Sequence, residues 1–398
     1  LKILTIGESP YLFTSQSRIN SSIIKYFVNQ GHVVSSLVWN HDRNYFMTNE
    51  FTHNYLYEEN GRTLCKLHLS DSVSPDKMCE KTKQIILKDN PDLIISIGDY
   101  VNTNFIHMLK MRYPDSFRWL SILLSGYNPI NKNILDYFES ADAVITTSED
   151  GYNLLKTSFN CSYIPFGPDP VFKTSFKNRK KFTVMALLRN KKSSNINAFI
   201  KSASLLPDID IYLHTNIYDD GFYDIKSSIN YFNAFNVKLP DNFISIKEGI
   251  TDTQLKKKYL ESTVFVDTST KSITSISLLE AMKCGCVPIT TGSGAMGTIV
   301  KLLDDPKKHI INCVEWLDED GNGSKICDPF DLVKKILYFY RIWKEDKEDF
   351  NKISKKCINV ISNFSSLVFT KRIEEVVKRI MKSKDKTLFV DIVNGKEG

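Results

Sequence analysis

Along most of the chain, short apolar runs alternate with stretches whose apolar residues recur every three or four positions. That is the pattern of β-strands alternating with amphipathic helices. The first series predicts strands over Leu1–Gly7, His32–Trp39, Leu64–Leu69, Leu93–Gly98, Arg118–Leu124, Ala143–Ser148 and Cys161–Phe166, with helices near 17–30, 77–89, 101–112, 131–139 and 149–158. Ile19, Ile23, Ile24 and Phe27 make one apolar face, and Gly31 ends that helix. Gly167-Pro168-Asp169-Pro170 and the basic run Lys177–Lys181 read as a linker. A second series predicts strands over Phe182–Leu188, Asp210–Thr215, Phe243–Lys247, Val264–Thr268 and Val287–Thr291, with helices near 195–205, 252–260, 275–284 and 330–343. Glu345–Lys386 reads as helical, with Ile353, Cys357, Val360 and Ile361 on one stripe and, after Phe364-Ser365-Ser366, a last helix to about Met381. Such alternation implies parallel sheets covered by helices on both faces. Two series imply two doubly wound α/β domains facing one cleft.

Composition narrows this picture. At roughly 150 residues per domain, 398 residues make two to three domains. With 42% hydrophobic and 25% charged residues, a mainly disordered or collagen-like chain is excluded. No apolar run reaches the ~18 residues of a spanning helix. The opening run is too short for a signal peptide and reads as a first strand. Among eight cysteines there is no CxxC; Cys284-Gly-Cys286, the one close pair, lacks a zinc spacing. Buried, reduced thiols in a cytoplasmic protein are expected, with no metal site. Charge is uneven: residues 1–165 hold 15 basic against 17 acidic residues, and the rest 37 against 29. A net +8 on the second part suits either a phosphate-bearing or polyanionic partner or a plain lysine-rich surface.

In open parallel sheets ligands bind beyond the carboxyl ends of the strands, so the loops there hold the candidate chemistry. The first loop is Gly7-Glu8-Ser9-Pro10, leading to Arg18 at a helix start. A cation there opposes the helix dipole unless an anionic ligand or a nearby acid offsets it. Asp99, just after a strand, either contacts ligand or caps the next helix. The loop Leu187–Asn195 carries Arg189, Lys191 and Lys192, which either clamp a diphosphate or are simply solvated. Thr268–Gly285 is hydroxyl-rich and opens a helix near Ser275, with Glu280 one to two turns in. Its free N–H groups suit phosphate oxygens and its carboxylate suits two ribose hydroxyls. Gly292-Ser-Gly294-Ala-Met-Gly297 matches G-x-G-x-x-G, but it comes too late in its domain, and Asp304 and Asp305 follow too soon for a nicotinamide site. Those glycines serve tight turning or close backbone approach. The G-x-S-x-G, H-E-x-x-H and Walker motifs are absent.

Together these segments resemble the GT-B glycosyltransferases of the retaining family 4, over nearly the whole chain. Ser277-Leu-Leu-Glu-Ala-Met-Lys-Cys-Gly-Cys-Val-Pro-Ile289 is similar to the L-E-A-M-A-x-G-x-P-V-I signature. Ala141–Ser148 is similar to A-D-x-V-I-x-x-S, and Tyr163–Asp169 to I-P-x-G-V-D. Leu255–Tyr259 with Val264–Thr268 resembles the family's L…Y…A-D-V-F-V-x-P-S. The resemblance implies an N-terminal Rossmann-like acceptor domain over 1–168, a Rossmann-like nucleotide-sugar domain over 169–362, and a helix over 363–398 returning to the first domain.

The resemblance also assigns roles. Glu280 matches the second acid of E-x7-E and would hold the donor ribose, while the first acid is replaced by Ser272. Lys192 matches the lysine of the G-R-L-x-x-x-K-G clamp. Its arginine is replaced by Leu187 and its first glycine by Ala186, with Arg189 offered from a shifted position. Thr274, Ser275, Ile276 and Ser277 would meet the donor phosphates. Glu8, Arg18, Asp99, Ser125 and Gly126 would line the acceptor side. The implied activity is metal-independent, cofactor-free retaining transfer from a nucleotide-sugar, UDP- or GDP-linked, to an acceptor hydroxyl. DNA, glycan and protein acceptors are all open, and a hydroxymethylated base in viral DNA is one that the AT-biased residue usage permits. The losses at Ser272 and Leu187 equally fit a catalytically degenerate relative that binds a nucleotide-sugar or a partner subunit.

Overall fold

The computed structural model describes residues 1–12, 14–39, 55–59, 61–70, 74–124, 132–172, 179–215, 223–240, 250–270, 276–317 and 323–383. The chain forms two compact units. One comprises Leu1–Phe166 and the segment from Ser366; the other is Gly167–Ser365.

The first unit runs β1 (Lys2–Glu8), α1 (Ser15–Asn29), β2 (Val33–Trp39), β3 (Tyr55–Glu59), β4 (Arg62–Leu69), α2 (Pro75–Asp89), β5 (Leu93–Gly98), α3 (Tyr100–Thr103), α4 (Phe105–Arg112), β6 (Arg118–Leu123), α5 (Lys132–Phe138), β7 (Ala143–Thr146), α6 (Glu149–Leu155) and β8 (Cys161–Tyr163). Its sheet has the order β3-β4-β2-β1-β5-β6-β7-β8. The β3–β4 pair is antiparallel and the others are parallel. Because β1 lies between β2 and β5, the chain changes direction of progress there. The loops after β1 and β5 therefore flank a switch-point crevice.

The second unit runs β9 (Thr183–Leu187), α7 (Ile196–Ser204), β10 (Asp210–His214), α8 (Ile225–Phe232), β11 (Val237–Lys238), α9 (Asp252–Glu261), β12 (Val264–Asp267), α10 (Ile276–Lys283), β13 (Val287–Thr290), α11 (Ala295–Val300), α12 (Pro306–His309), β14 (Cys313–Leu317), β15 (Gly323–Cys327), α13 (Pro329–Glu345) and α14 (Lys347–Val360). Its parallel sheet has the order β11-β10-β9-β12-β13, while β14 and β15 form a separate antiparallel ribbon. Val184, Ala186, Val264 and Val266 join one core, and Met185 and Phe265 join the other. Strands buried on both faces explain their unbroken apolar runs. The switch point is β9/β12, where the loops at 188–195 and 268–275 begin.

The last helix, α15 (Ser366–Lys382), packs within the first unit. Tyr26 donates to the Glu374 carboxylate at 2.9 Å, Arg118 donates to the Ser383 carbonyl at 2.7 Å, and the Phe166 and Phe369 rings meet edge-on at 4.9 Å. The expected returning helix is thus seated on the first unit.

Several sequence expectations need correction. The helix expected over 101–112 is broken at Asn104. The Tyr137 hydroxyl donates to the Thr103 carbonyl at 3.0 Å, and the His107 N–H turns to Asn104 instead. Strands β3 and β11 and the β14–β15 ribbon were not expected, nor was α8. The strand expected at Phe243–Lys247 lies outside the described residues. Among the described residues, no helix is long and apolar enough to cross a membrane, and no cluster of ligating side chains could hold a metal ion.

Candidate functional site

In the second unit, β9 ends in a turn in which the Lys191 N–H bonds the Arg189 carbonyl at 2.7 Å. Arg189, Lys191 and Lys192 are exposed there. Buried Asn190 anchors the turn by exchanging two hydrogen bonds with the main chain of Tyr223, at 2.7 and 3.0 Å. A 3-10 turn, Lys192–Ser194, follows and is stitched to the loop after β12. The Thr270 N–H donates to the Ser193 carbonyl (2.7 Å), the Thr268 hydroxyl to the Ser194 carbonyl (2.7 Å), and the Asn195 amide to the Thr268 carbonyl (2.9 Å). Asn195 does this from a left-handed backbone position (φ +49°), which asparagine tolerates better than most residues. The structure therefore holds the cation-bearing loop and residues 268–270, the start of the hydroxyl-rich loop, together as one rim.

Glu280 lies on α10 and is 2% exposed. Tyr259 of α9 donates to its Oε2 at 3.2 Å. An acid so buried needs a hydrogen-bond partner, and Tyr259 supplies one. Tyr259 also fixes where it points. Ile276 is buried at the first position of α10 and Ser277 is half-buried beside it. Ser272, Thr274 and Ser275 lie outside the described residues. Leu187, where the resemblance expects a clamp arginine, is half-buried against the core, and Ala186 is buried, so neither replaces the lost cation.

Two features of this rim were not singled out in the sequence. Asp267 ends β12, is 5% exposed, and has Ser269 as its hydrogen-bond partner among the described residues (Oδ1 to the N–H, 3.0 Å). Burial pushes its carboxyl above the ordinary aspartate value, and the Ser269 bonds only partly oppose that. The signal was an acid closing the apolar run Val-Phe-Val. Secondly, the hydroxyls of Thr215, at the end of β10, and Thr270 are buried without a partner among the described residues. Orphaned buried hydroxyls are uncommon and mark places where water or ligand completes the bonding.

The glycines at 292–297 have an internal purpose. Gly292 and Gly294 have φ of +67° and +51°, and a Cβ on Gly297 would meet the Gly292 carbonyl oxygen at 2.4 Å. They close the β13–α11 turn upon itself.

The first unit has its own polar edge. Glu8 is 6% exposed and accepts from the hydroxyl of Thr14, the N-cap of α1. Asn20 donates to the Glu8 carbonyl at 2.9 Å, leaving its own Oδ1 unpartnered among the described residues, as are Ser9 Oγ and Gln16 Oε1. Tyr11 pins the same loop to β3, donating to the Leu56 carbonyl and accepting from the Glu58 N–H, both at 2.9 Å. Arg18 is half-buried on the first turn of α1. Asp99 caps α3, accepting from the Asn102 N–H at 3.1 Å. Ser125 and Gly126 lie outside the described residues.

No family model matches the chain, and no curated protein matches it by sequence. Solved structures do match. The sucrose-phosphate synthase of Thermosynechococcus elongatus aligns with a TM-score of 0.72 at 15% identity, covering 96% of this chain and 99% of that one. The catalytic domain of Arabidopsis thaliana starch synthase IV, bound to ADP and acarbose, gives 0.62 at 12%, covering 96% and 99%. The E. coli trehalose-6-phosphate protein bound with UDP-2-fluoro glucose gives 0.65 at 10%, covering 95% and 99%. The chain is similar to these over its full length, and its fold is GT-B.

Proposed function

We propose that the protein is a glycosyltransferase that moves a sugar from a nucleotide-sugar to an acceptor hydroxyl, with retention at the anomeric carbon. The observation that carries this reading is Glu280, a buried carboxylate aimed by Tyr259 from the helix that follows the switch-point loop. A carboxylate there accepts from both ribose hydroxyls. Lys192 and Arg189, at the adjoining end of β9, neutralise the diphosphate as it leaves. The N-terminal end of α10 adds main-chain donors for the same oxygens. In a retaining transfer the departing phosphate oxygen takes the acceptor proton, so no protein base is required. Two of the similar structures hold nucleotide ligands, ADP and UDP-2-fluoro glucose.

The first unit supplies the acceptor side. Glu8 and the unpartnered acceptor oxygens of Gln16 and Asn20 suit a molecule that brings hydroxyl groups. A hydroxymethylated base in DNA is the first acceptor to assay, given the basic second half.

One observation favours a second reading, a degenerate protein that binds without turnover: Leu187 packs on the core where a clamp arginine is expected. Melting with UDP-, GDP-, ADP- and TDP-sugars beside their free nucleotides tests both. Ligand at 100 times its dissociation constant adds about 2.7 kcal/mol. A shift with one donor, followed by its hydrolysis or transfer, supports the enzyme. A shift without turnover supports the nucleotide-sugar-binding relative, and no shift from any nucleotide counts against the enzyme and favours the degenerate partner-binding subunit.

A further inference from the structure

The β14–β15 ribbon carries chemistry that sugar transfer does not use. Cys313 stands directly opposite Cys327 in its antiparallel register. The Asp328 N–H donates to the Asn312 carbonyl at 3.0 Å, flanking the pair on its outer side. Cys313 and Cys327 therefore occupy a non-hydrogen-bonded position. There opposed Cα atoms approach to about 4.5 Å and side chains on one face lie closest. That spacing falls within the range a disulfide spans.

The next pair, Val314 and Ile326, is exposed on the opposite face (68% and 42%), so both cysteines point inward. Cys327 is buried in the core with Ile311 and Leu332, whereas Cys313 is half-buried, and neither is in a disulfide. The ribbon is also tied to the candidate site. Asn195 donates to the Lys325 carbonyl in β15 at 2.9 Å with the same amide nitrogen that holds Thr268.

We infer that Cys313 and Cys327 are a redox-modification site, closing to an intramolecular disulfide that staples the base of the ribbon, by exchange with a low-molecular-weight disulfide. The more accessible Cys313 thiolate attacks one sulfur of oxidised glutathione, whose S–S bond breaks and releases one glutathione thiolate. The Cys327 thiolate then attacks the Cys313 sulfur and expels the second. The two protons lost by the cysteines are taken up by the two departing thiolates. Two cysteines are oxidised to one cystine, and oxidised glutathione is reduced to two glutathiones.

Burial raises the Cys313 thiol to about 11 and Cys327 further, while Lys325, Glu315, Asp328 and Asp331 face them with opposed effects. Exchange is therefore slow at neutral pH and speeds up in alkali, as the thiolate fraction grows. The Cys313 thiol itself donates to the Ile311 carbonyl at 3.3 Å, a bond that closure of the disulfide gives up, and the other buried thiols are held in their own ways. Cys286, for example, donates to the Tyr259 and Ser262 carbonyls.

The test incubates the full chain with oxidised glutathione near pH 9, followed by alkylation and peptide mapping. The expected result is loss of two of the eight alkylatable thiols, a cross-linked 313–327 peptide, and no lasting glutathione adduct. The melting temperature should rise by about 5 °C, as closing a loop of about 15 residues predicts, and dithiothreitol should reverse it. Cys327→Ser should trap glutathione on Cys313 and abolish the rise. If that buried variant does not fold, the half-exposed Cys313→Ser should likewise give neither cross-link nor rise. Eight thiols remaining in the wild type, a stable adduct on Cys313, or a link between any other pair overturns the inference.

Discussion

In both units the first strand lies between the second strand and a later one, β5 in the first unit and β12 in the second, yet they dress that switch point in opposite ways. In the second unit the edge presents hydroxyls and cations. Thr215 and Thr270 lack partners there among the described residues, and Arg189 and Lys192 stand exposed. In the first unit the corresponding edge presents acceptors: Glu8, Gln16 Oε1 and Asn20 Oδ1. On the proposed function, one edge takes the anion and the other a polyol. The two edges thus differ in the polar groups that line them, cations and hydroxyls in one and carboxylate and amide oxygens in the other.

The largest expected effect comes from breaking the anion side. Glu280→Ala should cost about 100-fold in turnover, the value of roughly 3 kcal/mol for charged hydrogen bonds to a ligand. Nucleotide-induced melting shifts should shrink with it. A variant with unchanged kinetics would remove the donor from this edge. Lys192→Ala should cost about 10-fold and flatten the dependence on salt, and Lys192→Arg should recover most of it.

The polyol side responds differently. Glu8→Gln should lower kcat/KM for the acceptor by about 10-fold while nucleotide shifts stay as in the wild type. Equal losses for donor and acceptor would erase the contrast between the two edges.

The smallest effect is on stability. Asp267 has a raised carboxyl value in the folded state, so the folded chain binds its proton more tightly than the unfolded chain. Its contribution is greatest below the unfolded value near 3.9 and is lost as pH rises toward the folded value. Asp267→Asn should therefore stabilise the protein at neutral pH and leave it unchanged near pH 3, as read from melting midpoints across that range.

The sequence showed the frame better than the edges. Leu93–Gly98 is a strand end to end because it is buried on both faces and its apolar run is unbroken. Tyr55–Glu59 escaped notice because an antiparallel edge strand alternates and ends in two acids. The break at Asn104 could not be seen locally, since its cause is a tyrosine 34 positions beyond Thr103. Glu280 and Lys192 are candidates from the sequence both because they follow strand ends and because their spacing resembles a known signature. Asp267 is not, because an acid at the end of a short strand looks like the start of a turn. The stitching of 193–195 to 268–270 depends on strands β9 and β12 becoming neighbours, which no local pattern encodes.

Gly167 and Ser365 have a consequence for how such a chain can be built. A Cβ on Gly167 would fall 2.1 Å from the Ser365 nitrogen, so the way into the second unit and the way out of it run back to back. Phe166 and Phe369, which bracket the interruption of the first unit, touch ring to ring. The second unit is therefore a cassette spliced into a host whose cut ends nearly meet. A gene in which a short bridge replaces residues 167–365 should still close the host sheet. The excised stretch, already continuous, is the piece that recombination can hand to another host without redesigning either junction.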